Sequence, residues 1–183
     1  CKEEGDEGRS ASRALRHLRP LEKIKVFGDA TTPLNQILKP FHVSVIDLSG
    51  LNDVSQDYIV GRLLNEIVEY RVQGKLKWPI FIFLEEAHKF VPNPKSTSYG
   101  RIGKFSSPII NTIAAEGRKF GVFLTLITQR PSKINQDSLS QCNSQIILRI
   151  TNPTDQRAVM EASERLGEEL MRDLPGLNIG EAI

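Results

Sequence analysis

The run Pro79-Ile-Phe-Ile-Phe-Leu-Glu-Glu-Ala-His-Lys-Phe90 constrains the fold more than any other stretch, because an unbroken apolar segment ends abruptly in two carboxylates. The consecutive large apolar residues Ile80 to Leu84 read as a strand buried on both faces, as at the centre of a parallel sheet. Glu85 and Glu86 then lie at its carboxyl end, the edge of an open α/β sheet where ligands bind. Neighbouring side chains on a strand point in opposite directions. If the first acid faces a metal-bound phosphate, the second must therefore reach it through the turn that follows. One acid would hold the metal or its water shell while the other orients an attacking water, as a nucleotide hydrolase requires. The plain alternative is a core strand running into a solvated acidic turn, and this stretch alone does not separate the two.

Flanking patterns supply the rest of the sheet. Phe41-His-Val-Ser-Val-Ile-Asp-Leu48 is rich in β-branched residues and precedes a Ser49-Gly50 turn, which predicts another strand. Ser55 is expected to cap a helix whose Val60, Leu63, Leu64, Ile67 and Val68 recur at helical spacing and which Gly74 closes. Strand, helix and strand in this order make a βαβ unit with parallel strands. Ser107-Pro108 starts a further helix with Ile109, Ile110, Ile113 and Ala114 on its buried side, and Gly121 ends it. Val122 to Ile127 is a second buried strand, delivering Thr128-Gln129-Arg130-Pro131 to the carboxyl edge. Gln145 to Ile150 reads as a strand, Asn152-Pro153 as a helix start, and Gly167 to Leu174 as a last short helix before a strand beginning at Gly180. Nearer the amino end, residues 10–19 read as a short helix with an arginine-bearing face, and Lys23 to Phe27 as a short strand.

Between the acidic pair and the Ser107 helix lies a long connection holding Lys95, Tyr99, Arg101 and Lys104 among prolines, serines and glycines. Connections of this length are uncommon in compact domains unless they are functional or disordered. Basic and aromatic residues interleaved on such a loop suit a nucleic-acid backbone. Disorder is the competing expectation.

A chain of 183 residues can bury a full core without disulfide or metal support. Its cysteines, Cys1 and Cys142, form no pairing pattern, which points to a reducing, intracellular setting. No apolar run approaches the ~18 residues of a membrane span, so the expectation is a soluble, cytoplasmic protein. The formal charge of +2 does not by itself argue for nucleic acid. His17, His42 and His88 have no partner ligand at turn or helical spacing, which disfavours zinc. His88, directly after the acids, is a candidate switch or supporting hydrogen-bond partner, with a purely structural role as the alternative. No serine sits in a nucleophile elbow. A phosphate-binding loop, G-x-x-x-x-G-K-[ST], is absent; Gly103-Lys104-Phe105-Ser106 places its hydroxyl one residue late and follows no strand.

Three ordered motifs carry a resemblance. Ile82-Phe-Leu-Glu-Glu-Ala-His88, Glu116-Gly-Arg-Lys-Phe-Gly121 and Leu124-Thr-Leu-Ile-Thr-Gln-Arg-Pro-Ser132 together resemble the HerA branch of the FtsK/HerA ATPases, and Ser138-Leu-Ser-Gln-Cys-Asn143 and Thr151-Asn-Pro-Thr-Asp-Gln156 extend the likeness. The resemblance implies a RecA-like P-loop NTPase core, an α/β fold with a mostly parallel sheet flanked by helices, here lacking the P-loop strand. It implies a homo-hexameric ring around double-stranded DNA, ATP and Mg²⁺ as cofactors, and work with a NurA nuclease and the Mre11/Rad50 pathway in break repair. On it, Glu85 matches the metal-side acid, reaching Mg²⁺ through water, and Glu86 the acid that polarises water. Arg118 matches an arginine finger serving a neighbouring subunit, and Gln129 a sensor of the terminal phosphate. Residues 1–40 then become the tail of an insertion and 41–183 the carboxyl-terminal part of the motor domain, which alone would bind ATP poorly. A non-catalytic RecA-like assembly or partner-binding module is the alternative. A DEAH-box helicase fits less well, because the following strand ends in Thr-Gln-Arg-Pro.

Overall fold

The computed structural model describes residues 30–95, 102–163 and 172–183. The helix expected at residues 10–19, the strand expected at Lys23 to Phe27 and most of the helix expected from Gly167 lie outside them. The chain divides into two compact units, Cys1–Ser55 and Gln56–Ile183.

In the first unit, α1 is a single turn, Leu34–Ile37, with Leu34 buried. The strand expected at Phe41–Leu48 is not formed. These residues have no ladder partner among the described residues, and Val43 and Val45 are 92% and 84% exposed. β-branched composition favours an extended chain, but a strand needs a neighbour for its N–H and C=O groups, and propensity cannot supply one. Phe41 turns the chain with φ +59°.

Helix α2 runs Asp53–Val72, close to the expected span. Ser55 is not its cap. Asn52 Oδ1 accepts from Ser55 N at 3.0 Å and from Ser55 Oγ at 2.9 Å, so the cap lies three residues earlier. Asp57, Val60, Gly61, Leu64 and Ile67 form its buried stripe. The helix ends as expected at Gly74, which takes φ +69°.

Among the described residues the sheet consists of β1, Ile80–Leu84, paired in parallel with β2, Val122–Leu126, in the register Ile80↔Val122 to Leu84↔Leu126. The crossover is α3, Ser106–Phe120, so the βαβ unit is real but falls one step later in the chain than the Phe41–Leu48 reading placed it. The sheet is also not buried on both faces. Ile80 and Leu84 are 6% and 8% exposed, whereas Phe81 and Phe83 are 65% and 68% exposed. Phe81 stacks on its register partner Phe123, with centroids 4.9 Å apart and planes inclined by 14°. An apolar run has no period with which to declare an open face, so only the layers present decide which residues are covered.

At the amino edge of this sheet, two close approaches fix the α3–β2 joint. A Cβ on Gly117 would lie 2.5 Å from Val122 O, and Gly121 sits at φ +67° against the Arg71 guanidinium. Arg71 donates from Nε to Phe120 O and from Nη1 to Leu76 O, both at 2.6 Å, clipping α2 to the chain entering both strands. The Glu116–Gly121 motif is thus first a packing device.

The start of α3 is held from a distance. Its N-cap position is Phe105, with no side-chain cap of its own, and the expected Ser107 cap is not made. Instead Asp57 of α2, wholly buried, accepts from Phe105 N at 3.1 Å, from Ser106 N at 3.0 Å and from Ser106 Oγ. Ser106 Oγ also lies 2.6 Å from Phe90 O.

Beyond β2, a 3₁₀ turn at Pro131–Lys133 leads into α4, Gln136–Ser140, and then α5, Pro153–Ala162. Asn152 caps α5 as the Asn-Pro pair predicts, accepting from Thr154 N at 2.8 Å. The strand expected at Gln145–Ile150 is reduced to one antiparallel bridge, Leu148↔Ala182, framed by paired bonds between Ile147 and Ile183. Ile147, Val159 and Leu174 form the small core beneath it. No helix among the described residues is long and apolar enough to cross a membrane.

Candidate functional site

The parallel pairing sets the site. Leu84 and Leu126 are register partners, so the residues that follow each strand leave the sheet at the same carboxyl edge. Two backbone bonds extend the pairing past the strands: Ile127 N donates to Leu84 O at 3.0 Å, and Ala87 N to Ile127 O at 2.9 Å. Between them the chain turns at Glu86, which adopts the left-handed conformation with φ +51° and ψ +42°. A non-glycine residue held there costs on the order of 1 kcal/mol or more and persists only where the surroundings enforce it. The turn is the geometry by which the second carboxylate leaves the strand's alternation, as the sequence required. Glu85 is exposed at the strand end, Glu86 half-buried, and Ala87 fully buried beneath them.

Among the described residues, Glu86 meets the imidazole of His88. His88 Nδ1 lies 3.2 Å from Glu86 Oε2 and 3.4 Å from Thr128 Oγ1. Burial lowers the His88 pKa below its usual value, outweighing the raising effect of Glu86, while Lys133, Arg130 and Lys89 lower it further. The contact with Glu86 is therefore a hydrogen bond from a neutral imidazole rather than an ion pair.

On the β2 side, Thr128 Oγ1 accepts from Arg130 N at 3.0 Å, closing a tight turn with Gln129 at its exposed middle. Ser132 N and Oγ donate to Asp155 Oδ1 at 3.0 and 2.6 Å, tying the segment to the first turn of α5. Gln129 therefore sits between two anchors on the same edge as Glu85 and Glu86. Neither Thr128 nor Asp155 was singled out from sequence. The Thr-x-Arg turn pattern was a readable signal for the first, but nothing local signals a carboxylate reaching back across 23 residues.

Arg118 is elsewhere. It is exposed on the last turn of α3, at the amino edge of the sheet, where cations complement the helix dipole. A five-residue strand separates the two edges by roughly 15 Å. The acids and Gln129 are brought together; the arginine is not joined to them within one chain.

The long connection is less free than its composition suggests. Val91 is fully buried, Pro92 bridges Ile134, and Asn93 N donates to Lys133 O at 2.7 Å. Lys95 is exposed beside a cavity of about 250 Å³ that Asp137 and Glu161 also line. Lys104 is exposed just after Gly103, whose φ of +76° makes the turn into α3. Tyr99 and Arg101 lie outside the described residues.

Among the described residues no group of three or more histidines, cysteines or acids converges as a metal cage. One exposed carboxylate at the rim, Glu85, suits only a cation that brings its own phosphate and water ligands, as Mg²⁺ does. Burial raises the Cys142 thiol pKa, which lowers its thiolate fraction.

No protein-family model matches the chain. Curated relatives do. It is 37% identical over 193 residues to the DNA double-strand break repair helicase HerA of Pyrococcus furiosus, a match covering 87% of this chain and 34% of that protein. It is 39% identical to the Saccharolobus solfataricus protein of the same name over 77% of this chain and 28% of that protein. The Sulfolobus acidocaldarius helicase HerA matches 97% of this chain at 33% identity, and 37% of its own length. The chain thus spans about a third of the length of the curated relatives it matches.

Proposed function

Over the segment it shares with them, the chain belongs to the HerA family, and on that premise we propose that it forms the acid-and-sensor part of a RecA-like ATP hydrolase that drives movement along double-stranded DNA in break repair. The observation that carries this reading is the single carboxyl edge shared by Glu85, Glu86 and Gln129, built by parallel strands in register. Bound Mg²⁺ would neutralise charge on the terminal phosphates. Glu85 would hold that cation through its water ligands. Glu86, turned off the strand by its left-handed backbone, accepts the proton of the attacking water. Gln129 hydrogen-bonds the terminal phosphoryl oxygens. The phosphate cradle must come from chain other than these 183 residues, since no G-x-x-x-x-G-K-[ST] occurs in them.

The position of Arg118 supports a role across a subunit boundary. It projects from the edge opposite the acids of its own chain, so in a homo-hexameric ring it would serve the neighbouring site, where such an arginine accelerates transfer by about 10³ to 10⁵. Lys95, Tyr99, Arg101 and Lys104 supply contacts to the DNA backbone, and a NurA nuclease with the Mre11/Rad50 pathway completes the setting. The 183-residue chain alone should bind ATP weakly.

A second reading has its own support. The open face bearing Phe81, Phe83 and Phe123 is an apolar surface of the kind that other chain or another subunit covers, as an assembly module would need. Glu86→Gln in the intact protein separates the two. The hydrolase reading expects nucleotide binding retained and DNA-stimulated turnover abolished. Unchanged turnover leaves only the module.

A further inference from the structure

The His88 ring nitrogen faces two groups it cannot serve equally. Glu86 Oε2, as a carboxylate oxygen, can only accept, so a bond at 3.2 Å requires the proton on Nδ1. Thr128 Oγ1 already accepts from Arg130 N at 3.0 Å, which leaves its hydroxyl hydrogen free to be donated. If Thr128 donates to Nδ1 across 3.4 Å, that nitrogen must present its lone pair, and Glu86 loses its donor. The ring can therefore hold Glu86 through Nδ1–H, alone or shared with the second lone pair of Thr128 Oγ1, or accept from Thr128 at Nδ1 with the proton on Nε2. In each case Thr128 draws on the nitrogen that serves Glu86.

We propose that His88 is a positioning residue that holds the Glu86 carboxylate in its left-handed turn, and that Thr128 competes for the same ring nitrogen, so that the grip on Glu86 follows the state of the Thr128–Arg130 turn. This rests on the hydrolase reading of Glu86. Three geometric facts support it. The His88 side chain is only 17% exposed, so the ring has little room to turn away. Its backbone is fixed by the 3₁₀ turn Ala87–Lys89, whose first residue is tied to Ile127 O. And Thr128 adjoins Gln129, the residue that meets the terminal phosphate on this reading. A change at Gln129 on nucleotide turnover would move Thr128 and, through His88, release or recapture the acid. The imidazole touches no nucleotide and acts only through Glu86.

The test uses the intact protein with Mg-ATP and DNA. His88→Ala should lower kcat by about ten- to a hundredfold, the range for a misplaced catalytic group, while KM for ATP stays within about twofold. His88→Asn, whose amide nitrogen falls where Nδ1 lies, should restore kcat to within about threefold of the parent, whereas His88→Gln, which places its amide at the Nε2 position, should not. Thr128→Val, which also removes the acceptor of Arg130 N, should cost less in the His88→Ala background than in the parent. If His88→Ala does not fold, the Asn and Gln variants carry the comparison. Equal activity of the Asn and Gln variants, a kcat for His88→Ala within twofold of the parent, or additive losses with Thr128→Val would overturn the assignment. Glu86→Gln in the same assay keeps the premise separate. If that variant turns over ATP normally, the hydrolase reading fails; if it is dead while His88→Ala is unaffected, only the role of His88 fails.

Discussion

Replacing Asp57 by alanine removes the acceptor that organises the start of α3, and its cost can be worked from the contacts. Three donors lose a partner: Phe105 N, Ser106 N and Ser106 Oγ. The hydroxyl keeps Phe90 O at 2.6 Å, so it remains satisfied. The Phe105 N–H is only partly buried and can recover water. The Ser106 N–H is buried and cannot; leaving such a donor unpaired costs about 1–3 kcal/mol. Loss of this one capping bond sets the cost, about 1–3 kcal/mol. For a domain of this size that lowers Tm by roughly 2–12 °C. Asp57→Asn should fall between, since its amide oxygen still accepts from Ser106 N while its NH₂ confronts the Phe105 N–H. Urea denaturation followed by circular dichroism, with m unchanged, reads both variants. A loss of less than about 0.5 kcal/mol for Asp57→Ala, the scale of an ordinary surface change, would refute the capping argument.

Other expectations concern the joints and the edge. Gly121→Ala meets both a φ of +67° and the Arg71 Nη2 atom 2.5 Å from the new Cβ, so it should destabilise by about 1–3 kcal/mol in thermal melts. Arg71→Met, which keeps the apolar stem but drops the bonds to Phe120 O and Leu76 O, should cost a similar amount, and equal stability would show those bonds to be idle. Because the folded pKa of His88 lies below its unfolded value, the unfolded chain binds the extra proton first. Stability from this group is fully present above the unfolded value of about 6.5 and falls as pH drops from there towards the folded pKa. His88→Asn should flatten that segment of the stability–pH curve. Arg118→Ala subunits mixed with Glu86→Gln subunits should give turnover that depends on their proportion through shared sites, whereas strictly independent behaviour would count against a trans role.

The parts of the fold legible in the sequence are those written in local pattern. Ile80–Leu84 with its acids, the apolar spacing of α2, and Asn152-Pro153 at the start of α5 each announce themselves within a few residues. What was missed depends on distant chain. Asp57 caps a helix 49 residues away, whereas local pattern points only to Ser107. The Phe41–Leu48 segment has strand composition but forms no ladder with the described residues, and the open face of β1 looks the same in sequence as its covered one. At the candidate site, the acids and Gln129 were readable because each ends a strand. The hydrogen bonds that hold them, through His88, Thr128 and Asp155, cross between elements and leave no spacing to read.

The assignment of Glu85, Glu86 and Gln129 requires that the acid pair and the glutamine address one nucleotide. A structure of the intact protein with Mg²⁺, ADP and a planar phosphate mimic, in the presence of DNA, measures this directly. The expected result has the Glu86 carboxylate on the water in line with the mimic, Glu85 in the cation's hydration shell, Gln129 on the mimic's oxygens, and Arg118 reaching in from the adjoining subunit. A nucleotide bound away from the carboxyl edge of β1 and β2, with Glu86 facing bulk solvent, would contradict it.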